Sequence, residues 1–206
     1  MIRLAKVYEP QVLIENAAAW TEELLQEIAA GGDKVAYRSG KYRHQQIKEA
    51  LTLETSRKCA YCESKPLHVT YGDVEHVIPK SEQPELTFEW SNLTLACDVC
   101  NTNKGAKLGL LDPYNCHPDE EFKFVGPMIF HRSGRAAAEL THIELDLNRM
   151  DLLERRRDRL RALHDKFEKF ALNPDEAAAA LLRDAALAYE TEDEREFAAC
   201  ARSFLS

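Results

Sequence analysis

The sequence predicts an α+β protein, mostly helical, with a small irregular middle. Three observations carry that reading. Apolar residues recur at three- and four-residue steps in the outer parts of the chain. The stretch from Cys59 to Asp112 keeps no such period and holds short β-prone pieces. Four of the six cysteines stand in two close pairs within that stretch. With 206 residues, 45% of them hydrophobic, the chain can bury a sizeable core without disulfide support.

From Pro10 to Ala30 the residues Leu13, Ala17, Trp20, Leu24 and Ile28 form one apolar stripe, and Gly31-Gly32 stops the helix. A shorter helix is predicted over Lys41–Glu54, where Ile47 and Leu51 share a face and Tyr42, Arg43, His44 and Lys48 make the rest polar and partly basic. In the middle block, His68–Tyr71, Asp73–Ile78 and Asn92–Ala96 are β-prone. Phe122–Val125 and Met128–His131 flank Gly126-Pro127 as a hairpin. Asn148 is placed to cap a long helix, Arg149–Leu172, which Asn173-Pro174 ends. An alanine-rich helix follows from Pro174 to Tyr189, and Thr191 with Glu194 forms a capping box for a last helix ending near Phe204. The expected organisation is a helical region at 1–56, a central unit at 57–113, and a hairpin followed by helices at 114–206.

The N-terminal MIRLAKVYEP has no apolar run behind its basic residues, and no stretch approaches the ~18 apolar residues of a membrane span. A cytoplasmic protein without a membrane role is expected, and its cysteines then read as thiols or metal ligands. Cys59-Ala-Tyr-Cys62 and Cys97-Asp-Val-Cys100 are two CxxC knuckles, and four thiolates around one tetrahedral ion leave no open position, which is the chemistry of structural Zn²⁺. A redox dithiol is the competing reading of a CxxC, but it lacks a βαβ context here. Cys116 and Cys200 have no pair partner in the sequence and read as partly buried thiols, the alternative for Cys116 being a reactive or metal-touching site beside His117.

Between the knuckles runs Asp73-Val-Glu-His-Val-Ile-Pro-Lys-Ser81, and the second knuckle leads into Asn101-Thr-Asn-Lys104. A lone His76 on an apolar strand is more often a satisfied core histidine. Glu75 directly before it and Asn101 beyond it change that, because carboxylate and amide oxygens are hard ligands suited to Mg²⁺ or Mn²⁺. Asp73 reads equally as a metal-facing or supporting carboxylate and as a solvated turn acid beside Gly72. Lys104 reads equally as a phosphate contact and as a structural cap.

The segments Glu75-His-Val-Ile-Pro, Asn92-Leu and Cys-Asp-Val-Cys-Asn101-Thr-Asn-Lys104 resemble, in order, the motif of the HNH endonucleases. That resemblance implies a central ββα-metal HNH unit braced by the four-cysteine zinc site. It implies His76 as general base, Glu75 and Asn101 as ligands of a catalytic Mg²⁺ or Mn²⁺, and Asn92 as the residue that braces the loop. Glu75 departs from the Asp more usual at its position. The string from Tyr37 to Pro113, with Lys58-Cys-Ala-Tyr-Cys-Glu63 and Phe88-Glu-Trp90-Ser-Asn92-Leu, is similar to the small HNH subunits of Septu-type anti-phage systems, some of them retron-associated. An endonuclease acting on nucleic acid, DNA before RNA, within a defence complex that includes an ATPase partner, is what this second likeness implies. The alternative is a zinc-knuckle module that binds nucleic acid or protein and does not cut.

The formal net charge is -8, and residues 54–112 carry six basic against nine acidic side chains. Bulk attraction to a polyanion is therefore weak, even in the central unit. The arginine-rich stretch Arg155, Arg156, Arg157, Arg159 and Arg161 offers a substrate or partner face. Glu154, Asp158, Asp165 and Glu168 are interleaved with it, so pairing at i,i+4 on a solvated surface is the plainer reading.

Overall fold

The computed structural model describes residues 1–66, 72–172 and 175–206. The chain opens with α1 (Gln11–Ala29), which follows Pro10 and whose buried anchors are Leu13 and Leu24. Trp20 meets Phe88 edge-on at 5.4 Å. After α1 the backbone turns at Gly31, where φ is 62° and only glycine is unstrained. A short α2 (Val35–Ser39) and a 3-10 turn (Gly40–Arg43) lead into α3 (Gln45–Glu54), so the helix predicted from Lys41 begins one turn later, capped by the His44 side chain.

In the middle, β1 (Asp73–His76) pairs antiparallel with β2 (Leu93–Ala96), with Glu75 opposite Thr94 and His76 opposite Leu93. Helix α4 (Asp98–Lys104) follows directly, completing a ββα unit. The β-prone His68–Tyr71 and the Asn173-Pro174 stop lie outside the described residues. A one-turn α5 (Pro118–Glu121) precedes the predicted hairpin, β3 (Phe122–Val125) and β4 (Met128–His131). Gly126 takes the positive φ of 57° that a two-residue hairpin turn of this kind needs.

The C-terminal part holds α6 (Ala136–Glu144), α7 (Met150–Ala171), α8 (Glu176–Glu190) and α9 (Ala198–Leu205). Two expected caps are corrected. Asn148 does not cap α7; its amide accepts from Ile129 N at 2.9 Å and donates to Ile129 O at 2.8 Å, closing the free edge of β4. Thr191 and Glu194 make no capping box, because Thr191 Oγ1 donates back to Leu187 O and α9 starts after Phe197 in a left-handed conformation.

Two main apolar clusters hold the molecule. One joins α1, α3 and the strand pair through Leu13, Leu24, Ile47, Leu51, Val74, Leu93 and Leu95. The other surrounds the four knuckle cysteines with Leu145, Leu147, Leu152, Leu160, Leu163 and Phe197. The ββα unit thus sits between the two, and the borders expected at 56/57 and 113/114 cross shared cores. No helix among the described residues is long and apolar enough to cross a membrane.

Candidate active site and zinc knuckles

The two CxxC pairs converge. All four sulfurs are buried and lie within 4.8 Å of one another, and no cysteine is in a disulfide. Ligands ~2.3 Å from a tetrahedral zinc stand about 3.8 Å apart; Cys62 and Cys97 Sγ are separated by 3.8 Å. The donor set and spacing fit a structural Zn²⁺. Arg149 lies over the cluster, its guanidinium 3.7 Å from Cys97 Sγ and 3.8 Å from Cys100 Sγ, so a cation faces thiolates that together outweigh a Zn²⁺ charge. Nothing local in the sequence singles out Arg149. The remaining thiols are inert in character: burial first, then nearby acids, pushes Cys116 up to about 11, and burial pushes Cys200 up to about 11.

The period of two along β1 and the i,i+3 spacing along α4 explain the polar contacts between them. Asp73 and Glu75 share one face of the strand and meet Asn101 and Lys104 on the helix. Asn101 Nδ2 donates to Asp73 Oδ2 at 2.7 Å, and Lys104 Nζ bonds Glu75 Oε1 at 2.9 Å and His76 O at 2.7 Å. Asp73 is therefore not a free turn acid. Lys104 is fully buried, which corrects its reading as a phosphate contact; it is the partner of Glu75. Burial raises the Glu75 carboxyl above its ordinary range, and Lys104 offsets that only in part.

His76 leaves the opposite face of β1. Its ring is buried, 5% exposed, with Nε2 at 3.0 Å from Thr87 O. A carbonyl only accepts, so Nε2 carries the proton and Nδ1 is bare. Desolvation lowers His76 to about 4, assisted by Lys80, Lys104 and Arg43 and opposed by the Thr87 bond. The imidazole is neutral at neutral pH. Asn92 holds the segment that delivers Thr87: its Oδ1 accepts from Ile78 N at 2.7 Å, and its Nδ2 donates to Ile78 O at 3.0 Å and Leu86 O at 3.1 Å. Tyr42 packs edge-on against His76 with ring centroids 4.6 Å apart. Thr87 acts through its backbone and leaves no side-chain signal in the sequence, whereas Tyr42 belongs to the mixed face already visible in the 41–54 segment.

The arginines of α7 do not form one open face. Arg156 is 2% exposed and occupies the apolar stripe Leu152, Arg156, Leu160, Leu163, which corrects its placement on a binding surface. It donates to Leu147 O at 2.8 Å and Pro127 O at 3.3 Å and faces the rings of Phe124 and Phe197. Arg155 contacts both oxygens of Glu196, and Arg159 pairs with Glu190 at 2.6 Å. Arg157 and Arg161 are exposed.

Residues 59–107 match the family of HNH endonucleases. Over 160 residues the chain is 30% identical to the Septu protein PtuB of Bacillus thuringiensis, an alignment covering 74% of this chain and 57% of that protein. The chain thus spans little more than half the length of this relative. Buried zinc-type knuckles, a ββα unit and the family match coincide on the same residues, and the chain carries an HNH endonuclease unit and resembles the Septu defence proteins.

Proposed function

We propose that the protein is a metal-dependent endonuclease that hydrolyses phosphodiester bonds of nucleic acid, DNA foremost, with His76 as general base. The observation that carries this reading is the state of His76: neutral, with Nε2 fixed on the Thr87 carbonyl and Nδ1 bare. A base must be unprotonated and held in one orientation, and the lowered pKa of His76 and its bond to the Thr87 carbonyl support both conditions. His76 Nδ1 takes the proton of the attacking water. Asn92 contributes indirectly, by fixing the segment that orients the ring.

A hard divalent ion, Mg²⁺ or Mn²⁺, would supply Lewis-acid stabilisation of the departing oxygen. Asn101 is the amide ligand in this reading, and β1 offers Glu75 and Asp73. The Asp73 and Asn101 side chains are neighbours, joined by a hydrogen bond of 2.7 Å from Asn101 Nδ2 to Asp73 Oδ2. Glu75 is engaged by Lys104, which supports Asp73 with Asn101 as the ligand pair and Glu75 as the carboxylate behind them. The Asn101 carboxamide must turn its oxygen toward the ion.

The likeness to Septu supports an anti-phage role with an ATPase partner. Six unpaired cysteines suit the reducing cytoplasm as its place of action. Incubation of supercoiled plasmid with Mg²⁺ or Mn²⁺ tests the activity. Nicked or linear product with 5′-phosphate and 3′-hydroxyl ends, abolished by EDTA, is expected; intact plasmid with zinc-loaded protein would favour the non-cutting zinc-knuckle module.

A further inference from the structure

An acidic nuclease needs a local seat for a polyanion, and α7 does not provide the expected one. Arg156 is buried, and Arg155 and Arg159 are held by Glu196 and Glu190. The cations around His76 are arranged differently. Where the 3-10 turn and the start of α3 meet β1, a cleft of about 290 Å³ is lined by Tyr42, Arg43, Lys48 and Asn101 together with the acids Glu49 and Asp73. Tyr42 connects this cleft to the base, since its ring lies against the imidazole. The same ring gathers two cations: Arg43 at 5.0 Å and Lys80 at 4.7 Å from its centroid, with Lys80 Nζ 3.5 Å from the phenol oxygen. Lys48 spans from α3 to the Gly72 carbonyl just before β1.

None of Arg43, Lys48 and Lys80 forms an ion pair among the described residues. Nearby Lys41 and Arg38, by contrast, are paired with Glu23, and Arg38 with Glu27 as well. A cation over an aromatic face is positioned without being neutralised, so its charge stays available to a phosphate. The carboxylate–amide pair Asp73 and Asn101 lines the same cleft, so a strand seated there lies beside the candidate metal ligands and one side chain away from His76.

We propose that Arg43, Lys48 and Lys80 form a phosphate-binding lip that seats the sugar–phosphate backbone of the substrate strand at the Tyr42 cleft, in place of the arginine face of α7. The proposal rests on the reading of His76 as the base, because the lip is defined by its position around that residue.

The test uses the full-length His76→Ala protein, which retains the lip but not the base, with fluorescence anisotropy of labelled duplex DNA and duplex RNA across a salt series without Mg²⁺. Adding Arg43→Gln and Lys80→Gln should weaken binding about tenfold or more at low salt. It should also reduce the slope of log affinity against log salt by about two, one for each phosphate no longer engaged. Zinc content and melting temperature should be unchanged, since Arg43 is exposed and Lys80 half-buried. Lys48→Gln should weaken binding further. Comparison of the two duplexes identifies which backbone the lip prefers. Equal affinity and slope in the lip variants would overturn the proposal, as would no measurable binding by the parent. So would a loss confined to Arg157→Gln with Arg161→Gln. Failure of the base reading is seen separately, as unimpaired plasmid cleavage by His76→Ala with the lip intact.

Discussion

His76 depends on a residue that never touches it. Asn92 satisfies three backbone groups across the β1–β2 connection, and Thr87, whose carbonyl orients the imidazole, sits in the segment so fixed. Net values of about 1 kcal/mol per hydrogen bond, with a larger cost for buried groups left unmade, predict that Asn92→Ala loses about 2–4 kcal/mol in urea unfolding. It should also lose cleavage disproportionately, because the ring is released. Lys104 makes a sharper case. It is fully buried against Glu75 and the His76 carbonyl, and removing one partner of a buried pair leaves an uncompensated charge worth about 3–5 kcal/mol. Lys104→Met should be destabilised by that order, and Glu75→Gln in the same protein should recover much of it; additive losses in the double variant would reject the pairing. The motif residues themselves were legible one by one, since a carboxylate, an imidazole and an amide at their spacings are chemically distinctive. Their pairing was not. Which of Asp73 and Glu75 meets Asn101 depends on strand pleat and helix phase together, and no local pattern encodes that.

At the scale of elements, the knuckles bind the strand pair to α4 and to the core around α7. Structural zinc contributes folding free energy directly, so Cys59→Ser should unfold or aggregate the central unit. Stripping the metal with a strong chelator should produce the same loss of melting transition in the wild type. A stable, zinc-free protein would contradict the structural assignment. Helix α7 shows where periodicity informs and where it misleads. Its stripe was visible from Leu152, Leu160 and Leu163, yet the position between them is Arg156, which a composition rule assigns to the surface and the fold buries. Truncation of Arg156 to Ala should cost about 3 kcal/mol, by cavity and orphaned carbonyls, whereas Arg157→Ala should stay within about 0.5 kcal/mol of wild type. Thermal or urea unfolding separates the two. Long amphipathic helices and the Gly126-Pro127 hairpin were readable because their signals are local. Short helices such as α2 and α6 were not, and Asn148 reads as a cap because an amide that caps a helix and one that closes a distant strand edge look alike in sequence.

Across the whole molecule the charge of -8 is distributed so that Arg155 and Arg159 of α7 are ion-paired and Arg156 is buried, while Arg43, Lys48 and Lys80 near His76 form no ion pair among the described residues. The ββα unit is set between two cores, with Arg43, Lys48 and Lys80 gathered beside the Tyr42 cleft of a protein that is acidic as a whole. The α+β class and the middle block were legible because paired cysteines and broken periodicity mark them plainly. The sharing of cores across the three expected regions was not, since it comes from a cluster that gathers Cys59 and Cys100 with Leu145 and Leu152 across much of the chain. The central claim, that this body carries a histidine-based nuclease, meets its most direct test in parallel plasmid cleavage by wild type and His76→Ala, with zinc content measured in the same samples. The account predicts equal zinc and a fall in cleavage rate of at least about a hundredfold; near wild-type cutting by a zinc-loaded His76→Ala protein would contradict it.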